Sequence, residues 1–319
     1  MLKSTFLTAL GASTFVAGMA GAAELGDVDT PIRLALNDWT GHQVSTYVAG
    51  EMLKAAGYQV EYVGATNQDV WAAMAAGEIH ANVEIWSTSQ TEEVAEYMAS
   101  GSTTDLGDLE LYAQEGLVYP AHVADLCPGL PNWEALRDCA GVFATAETGD
   151  QGRLLGYPEV WSSPGADRVE GLGLPFATTP AADEAALTDA LREAVENNSP
   201  ILATFWQPHW AMMEYDLKFV QLPAAEPACF TDPSWGPNPN AVNDCGFESA
   251  RVMKAGWGQL AEKWPAAFEI LFTYTLHIED QQPMMGSIDV EGRPVEEVVK
   301  EWMSMNDFVW QPVVDDATS

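Results

Sequence analysis

The chain has 319 residues, of which 47 are acidic and 13 are Lys or Arg, so its formal net charge is −34. This balance excludes a protein that binds nucleic acid or anionic membranes through basic residues, because those interactions draw on Lys and Arg. Hydrophobic residues make up 47% of the sequence, which is typical of a folded globular protein and excludes a disordered chain.

The first 23 residues have the pattern of a secretory signal peptide. Lys3 supplies the positive start, an apolar run covers residues 6–19, and residues 20–22 form a small-residue cleavage site. The alternative is a short transmembrane anchor, but the run is shorter than the ~20 apolar residues that span a bilayer. We therefore predict cleavage after Ala22 or Ala23 and a mature protein that is a monomer in the periplasm.

Strand and helix patterns alternate along the next eighty residues. Short apolar runs predict strands, and apolar residues with helical spacing predict the helices between them. The strands are predicted at residues 32–36, 58–63 and 79–85, and the helices at 42–56, 68–76 and 91–100. Such alternation is typical of a parallel sheet in an α/β domain.

The rest of the chain repeats this pattern more loosely. Helices are predicted at residues 132–139 and 184–196, strands at 142–144 and 201–205, and a helix-rich region from about residue 247. Segments rich in Pro and Gly, at 156–180 and 223–246, interrupt this part. The overall length favours two domains of roughly 150 residues each.

Four cysteines are an even number, which favours disulfides in an exported protein. Three connectivities are possible. We expect neighbours to pair, because that closes two short loops: Cys127 with Cys139, and Cys229 with Cys245. The spacings match neither a zinc site nor a C-x-x-C redox motif.

The loop between the second pair of cysteines is rich in hard oxygen ligands. It contains Asp232, Asn240 and Asp244, and carboxylate and amide oxygens on a closed loop suit a structural Ca²⁺ ion. The alternative, which we favour, is an ordinary turn segment in which Asx side chains bond to nearby backbone. We expect no other cofactor.

The sequence lacks the common motifs of catalysis. It has no G-x-S-x-G elbow, no P-loop, no H-E-x-x-H and no G-x-G-x-x-G, and its five histidines are scattered. We therefore predict that the protein is not an enzyme.

Three of the twelve tryptophans share one position relative to a predicted strand. Trp39, Trp86 and Trp206 each lie at or just after the carboxyl end of a strand, the edge at which open α/β sheets bind ligands. An indole face attracts a cation by roughly 0.5–2 kcal/mol. Three indoles at one edge therefore predict a cation–π site for a quaternary ammonium group. The alternative is that they are core residues covering the ends of the sheet.

Five segments, in this order along the chain, resemble the periplasmic substrate-binding proteins of ABC importers for glycine betaine, choline and related methylated ammonium compounds. They are NDWTGHQV from Asn37, AAGYQVEYV from Ala55, WAAMAAGEIHANVEIW from Trp71, QEGLVYP from Gln114 and PILATFWQPHW from Pro200. The resemblance covers nearly the whole mature chain. It is greatest to marine bacterial members that bind trimethylamine N-oxide.

The resemblance implies an α/β fold with two lobes, of the type II-like periplasmic class, and a ligand in the cleft between them. Lobe one is expected to comprise residues 24–118 and 222–319, and lobe two residues 119–221. The partners implied are a small methylated amine and the inner-membrane permease that receives it. A rival hypothesis is an exported enzyme acting on methylated amines, which would need a nucleophile or a metal.

The resemblance also implies an aromatic cage around the ligand. Trp86 and Trp206 match cage positions found across the family, and Trp39 matches one of choline-type members. Trp161, in EVWSSPG, is similar to the mid-chain cage residue of betaine-type members, which have Gly and Cys after it. In those members the backbone N–H groups that follow hold the ligand carboxylate, and here they would belong to Ser162 and Ser163.

Glu115 lies near the place of another cage residue of choline-type members, which is aromatic there and acidic here. A carboxylate attracts a cation, accepts a hydrogen bond from a hydroxyl and, when protonated, donates one to an N-oxide oxygen. It repels the carboxylate of glycine betaine. We therefore predict a compact trimethylammonium ligand, with trimethylamine N-oxide first, choline second and glycine betaine third. The alternative is a solvated or salt-bridged hinge residue.

Overall fold

The structure is a computed structural model that describes residues 24–89 and 92–319. The predicted signal peptide, residues 1–23, lies outside the described residues. Within the described part of the chain, no helix combines the length and the apolar character needed to cross a membrane.

Ten of the eleven strands of the described residues form two five-stranded sheets. In chain order the strands are β1 (Ile32–Leu36), β2 (Val60–Gly64), β3 (Ala81–Trp86), β4 (Thr103–Asp108), β5 (Gln114–Pro120), β6 (Pro128–Pro131), β7 (Gly152–Gly156), β8 (Phe176–Pro180), β9 (Leu202–Gln207), β10 (Leu217–Phe219) and β11 (Val252–Trp257). The first sheet has the order β2-β1-β3-β11-β4, the second has the order β10-β5-β9-β7-β8, and the short strand β6 belongs to neither. Each sheet is the centre of one lobe.

Helices cover both faces of each sheet. They are α1 (Thr40–Ala55), α2 (Val70–Ala75), α3 (Glu92–Ser100), α4 (Val123–Leu126), α5 (Ala135–Cys139), α6 (Pro164–Gly171), α7 (Glu184–Glu196), α8 (Trp210–Glu214), α9 (Leu260–Lys263), α10 (Pro265–Thr273), α11 (Ile278–Asp289), α12 (Val295–Met305) and α13 (Asp307–Thr318). The first sheet packs against α1 and α10–α13 on one face and against α2 and α3 on the other. This double cover explains why Ile32 and Leu34 of β1 are fully buried.

The predicted α/β pattern is confirmed for most elements, but the sheets are mixed rather than parallel. β1 pairs parallel with β2 and β3, whereas β11 returns from the C-terminal part and lies antiparallel between β3 and β4. In the second sheet β5 is antiparallel to β9. The parallel prediction was made for the strands at residues 32–36, 58–63 and 79–85, and the parallel pairing of β1 with β2 and β3 confirms it. β5 and β11 were not predicted as strands, and local periodicity carries no information on a pairing partner distant in sequence.

The strand predicted at residues 142–144 is also wrong. Residues Ala140–Phe143 form a short 3₁₀ helix instead, and Phe143 is buried in the core of the second lobe. A three-residue apolar run fits either element, and here packing against the core decides between them.

Both expected disulfides are present, Cys127–Cys139 and Cys229–Cys245. The loop of the second disulfide packs on α6 of the second lobe. Asn238 Nδ2 donates to the carbonyl of Gly171 at 2.7 Å, and the Arg168 guanidinium lies 5.2 Å from the ring of Phe230.

The chain crosses between the sheets twice, from β4 to β5 and from β10 to β11. β5 lies in the second sheet from Gln114 onward, and the disulfide loop contacts the second lobe. The lobe boundaries at 118 and 222 stay a prediction, and these two contacts favour a first boundary just before β5 and a second one after the disulfide loop.

Candidate ligand-binding site

A pocket lies where the two lobes face each other. Residues of both lobes line it: Trp39, Asn67, Trp86, Thr88, Glu115, Tyr157, Trp161, Ser162 and Trp206. The pocket volume is about 50 Å³, which holds a few groups of the size of a water molecule at ~10–15 Å³ each. All four predicted cage tryptophans converge here, together with Glu115.

Strand ends deliver most of these side chains. Trp86 is the last residue of β3, Trp206 is next to the last of β9, and Trp39 follows β1. Because β5 runs antiparallel to β9, its first residues reach the same edge, where Glu115 pairs directly with Trp206. Directly opposed residues of paired strands lie on the same face of the sheet. This register explains how an acid distant in sequence comes to lie among the tryptophans.

Glu84, which is 2% exposed, positions both indoles of the first lobe. Its Oε1 accepts the Nε1–H of Trp39 at 2.9 Å and that of Trp86 at 3.3 Å. Its Oε2 accepts hydrogen bonds from Ser45 Oγ at 2.6 Å and from Gln281 Nε2 at 2.9 Å. Hydrogen bonds to an ionised acceptor are the strong ones. One buried carboxylate therefore holds two walls of the pocket.

The aromatic rings of the pocket meet edge to face. The centroids of Trp161 and Trp206 are 5.5 Å apart at an interplanar angle of 75°, and Tyr157 lies 5.6 Å from Trp206. Trp39 of the first lobe lies 5.6 Å from Trp161 at 70°. Aromatic pairs prefer this geometry, which sets the rings at steep angles as walls. We call Trp39, Trp86, Tyr157, Trp161 and Trp206 the aromatic box.

Trp161 is bonded across the cleft. Its Nε1 donates to Asp38 Oδ1 of the first lobe at 2.8 Å. Next to it, Gln68 Nε2 of the first lobe donates to the carbonyl of Val160 at 3.3 Å. These two bonds therefore form only while the two lobes are together.

Glu115 is the acid that lines the pocket. Its Oε2 accepts a hydrogen bond from Thr88 Oγ1 of the first lobe. Burial raises the pKa of Glu115, and hydrogen-bonding interactions with Thr88 and then Tyr157 oppose that shift. Among the described residues that line the pocket none is Lys or Arg, so Glu115 faces no cationic partner within the lining.

We expect Glu115→Gln to raise the melting temperature of the ligand-free protein near neutral pH. A carboxyl whose pKa is raised by folding binds protons more strongly in the folded state. Its ionisation therefore lowers the free energy of unfolding as the pH rises above its unfolded pKa of about 4.3. The stabilisation by the variant should thus be largest near neutral pH and should vanish below about pH 4.

Scanning calorimetry between about pH 4 and about pH 8 measures this difference. The exposed Glu170 lies in the same lobe, and Glu170→Gln is the matched control that should melt like wild type at each pH. A Glu115→Gln variant that melts below wild type at neutral pH would contradict the prediction.

The two serines after Trp161 differ in their location. Ser162 lines the pocket, whereas Ser163 immediately precedes α6 and is exposed outside the lining. The predicted role of their backbone N–H groups in holding a ligand carboxylate stays a prediction.

A second group of hydrogen bonds joins the lobes beside the pocket. Glu184 Oε2 of α7 accepts the backbone N–H of Thr40 at 2.7 Å. Its Oε1 lies 3.2 Å from His209 Nε2. His209 Nδ1 accepts the N–H of Ala211 at 3.1 Å, so Nε2 is the nitrogen that carries the proton. His209 thereby donates to Glu184.

A metal site usually needs at least three His, Cys, Asp or Glu side chains whose ligand atoms lie close together. In the described part of the chain one group meets this condition, with all ligand atoms within 4.8 Å of one another: Glu184, His209 and Asp289. Asp289 accepts hydrogen bonds from Thr40 Oγ1 at 2.6 Å and from Trp210 Nε1 at 2.7 Å. Burial and, after it, the charge of Glu184 raise the pKa of Asp289. Since each carboxylate oxygen already has a partner, hydrogen bonding between the lobes accounts for this group without a metal ion.

The residues of the calcium hypothesis have partners within their own loop. Exposed Asp232 accepts hydrogen bonds from the N–H and the hydroxyl of Ser234, at 2.9 and 2.7 Å. Buried Asp244 accepts the N–H of Asn238 at 2.7 Å, and Asn240 is exposed. These are the bonds that the turn interpretation predicts. The calcium hypothesis stays a prediction.

Sequence reasoning misses three lining residues. Tyr157 directly follows β7, the same kind of position that identified the tryptophans, but β7 was not predicted as a strand and Tyr157 lies in the segment 156–180, which is rich in Pro and Gly. Asn67 and Thr88 lie in polar stretches after β2 and β3. No pattern in the sequence distinguishes these two from other loop residues.

Comparison with known proteins places this geometry in a family. Residues 30–305 match the model of the substrate-binding domain of ABC-type glycine betaine transport systems. The chain is 28% identical over 307 residues to the trimethylamine N-oxide-binding protein of Pelagibacter ubique (strain HTCC1062), which covers 93% of this chain and 95% of that protein.

Two solved structures share the fold at low sequence identity. An ABC-transporter choline-binding protein in complex with choline has a TM-score of 0.69 at 17% identity, covering 90% of this chain and 92% of that one. Lactococcal OpuAC, closed and complexed with glycine betaine, has a TM-score of 0.67 at 21% identity, covering 91% of this chain and all 100% of that one.

These relatives are solute-binding proteins and not enzymes, as the absence of catalytic motifs in the sequence predicts. Proteins of this kind bind a small ammonium solute outside the cytoplasm and deliver it to the permease of an importer. The family match extends over most of the chain, including every residue that lines the pocket. The chain therefore belongs to the family of substrate-binding domains of ABC-type glycine betaine transport systems.

Proposed function

We propose that the protein binds a compact methylated ammonium compound in the aromatic box, with trimethylamine N-oxide as the preferred ligand. The observation that carries this proposal is the composition of the lining: five aromatic rings, one acid and, among its described residues, no Lys or Arg. Choline and glycine betaine are the alternative ligands. An ABC permease receives the ligand.

The box suits a quaternary nitrogen for a physical reason. The methyl groups around such a nitrogen carry its positive charge and form no conventional hydrogen bonds, so they lose little when water is removed. A π face within about 6 Å attracts them by roughly 0.5–2 kcal/mol. Edge-to-face packing between neighbouring rings, at 5.5–5.6 Å, favours a box that surrounds the cation on several sides.

The polar groups of the pocket favour a ligand without a free carboxylate. Glu115 attracts a cation and repels a carboxylate, and none of the described lining residues is Lys or Arg. Trimethylamine N-oxide consists of one nitrogen, one oxygen and three methyl groups, which is compatible with a pocket of about 50 Å³. Similarity to the Pelagibacter ubique protein supports the same preference.

We also propose that the lobes close over the ligand about the two crossings of the chain. The bonds from Trp161 to Asp38 and from Thr88 to Glu115 join the lobes through residues that line or adjoin the pocket. Closure would therefore complete the box and shield the ligand from water in a single step.

Titration calorimetry of the mature chain with trimethylamine N-oxide, choline, glycine betaine and tetramethylammonium tests the proposal. We expect trimethylamine N-oxide to bind most tightly, with a Kd of about 1 μM or lower, which is about −8 kcal/mol. Glycine betaine should bind most weakly, since Glu115 repels its carboxylate. If no ligand bound with a Kd below about 100 μM, the cage would not be a binding site. If glycine betaine bound most tightly, the proposed preference would be wrong.

A further inference from the structure

Tyr157 is the one member of the aromatic box that has a hydroxyl. The residue directly follows β7 and is 6% exposed, and its ring lies 5.8 Å from Trp161 and 5.6 Å from Trp206. Its hydroxyl oxygen is buried and forms no hydrogen bond of normal geometry among the described residues, although it interacts with the carboxylate of Glu115. A buried hydroxyl without a partner is uncommon, because it has lost its bonds to water and gained none in return. Such a group at a pocket wall points to a partner that arrives with the ligand.

The surroundings keep this hydroxyl a donor. Burial raises the pKa of Tyr157 well above its usual value, and the negative charge of Glu115 and a hydrogen-bonding interaction with its carboxylate add to the shift. The phenol therefore keeps its proton throughout the physiological range. Glu115 itself already accepts the hydroxyl of Thr88. Tyr157 donates whatever the protonation state of Glu115, whereas Glu115 donates only when it is protonated.

Resting on the function proposed above, we infer that Tyr157 is a specificity-determining residue whose hydroxyl donates a hydrogen bond to the oxygen atom of the ligand. The aromatic rings recognise the methylated nitrogen, and Tyr157 selects compounds with an acceptor oxygen on or close to it. An N-oxide oxygen fits this requirement, because it carries negative charge and lies next to the methyl groups. A ligand with a methyl group in that place leaves the hydroxyl unpaired, and the site discriminates against it.

The test compares two ligands of similar shape in wild type and in Tyr157→Phe. Trimethylamine N-oxide has the acceptor oxygen, and tetramethylammonium has a methyl group in its place. The variant keeps the aromatic wall and removes only the hydroxyl. We expect it to bind trimethylamine N-oxide at least about tenfold more weakly and tetramethylammonium within about twofold of wild type. The ligand-free variant should melt close to wild type, because the removed hydroxyl forms no hydrogen bond of normal geometry.

Tyr119→Phe is the matched control, since Tyr119 is a buried tyrosine of the same lobe that does not line the pocket. It should bind both ligands like wild type. If Tyr157→Phe bound trimethylamine N-oxide within twofold of wild type, the inference would be overturned. An equal loss of affinity for both ligands would also overturn it, because the effect would then come from the packing of the ring. Failure of the proposed function is a separate result, in which wild type itself binds neither compound.

Discussion

Glu84→Gln should both weaken ligand binding and lower the stability of the fold. The carboxylate accepts four hydrogen bonds in a site that is 2% exposed, and two of the donors are the indoles of Trp39 and Trp86. A glutamine keeps one acceptor oxygen and turns an NH₂ group toward donors. Buried donors left unpaired cost about 1–3 kcal/mol each. We expect a loss of about 2–4 kcal/mol in the free energy of unfolding and at least about a tenfold loss of affinity.

Urea unfolding and titration calorimetry on the same preparation separate these two effects. Glu61→Gln is the control, since Glu61 is an exposed acid on β2, the strand next to β1. It carries the same change of charge and should alter neither quantity. Wild-type affinity in Glu84→Gln would show that the two indoles keep their places without the carboxylate.

Trp161→Ala should lose at least about tenfold in affinity, about 1.4 kcal/mol, while the stability of the ligand-free protein changes little. Trp161 is half-buried, so its removal leaves no enclosed cavity in a core. The affinity falls because one wall of the box is lost and because the bond from the indole to Asp38 joins the lobes. Asp38→Ala separates the two causes, since it removes the bond and keeps the ring.

Trp206→Ala provides the contrast. Trp206 is 5% exposed and packs against Phe205 at 4.6 Å and His209 at 4.9 Å, so it belongs to the core as well as to the box. We expect it to lose affinity and also about 3–5 kcal/mol of stability, as buried Trp to Ala substitutions do. Trp310→Ala, in α13 outside the pocket lining, is the control and should bind ligand normally. Normal affinity in Trp161→Ala would remove that ring from the site.

The tryptophans illustrate how far local patterns reach. Strands were predictable from short apolar runs, and Trp39, Trp86 and Trp206 stood at their carboxyl ends. The tryptophans were expected either to line a ligand site or to belong to the core. Trp206 does both, since it lines the pocket and also packs in the core of its lobe. A residue at the edge of a sheet packs on its own lobe with one side and faces the cleft with the other.

Glu115 and Glu84 show where local patterns stop. Glu115 was predictable only from resemblance to a family, since its place beside Trp206 depends on the antiparallel pairing of β5 with β9. Glu84 looked like any other acid in a strand. Its role depends on four hydrogen-bond donors: one on α1, one on α11, and the indoles of Trp39 and Trp86. The farthest donor, on α11, is 197 positions away in the sequence.

By itself, the sequence determined the alternation of strands and helices, the tryptophans at the strand ends and membership in a family of solute-binding proteins, because each of these is encoded in neighbouring residues. The tertiary structure alone decided the antiparallel return of β11, the anchoring of two indoles on Glu84 and the buried hydroxyl of Tyr157 at the pocket wall. The physical reason is that each of these depends on which distant segments pair. The chain has many acids and hydroxyls, but only the few that are buried cannot bond to water. Those few need hydrogen-bond partners within the protein or on its ligand.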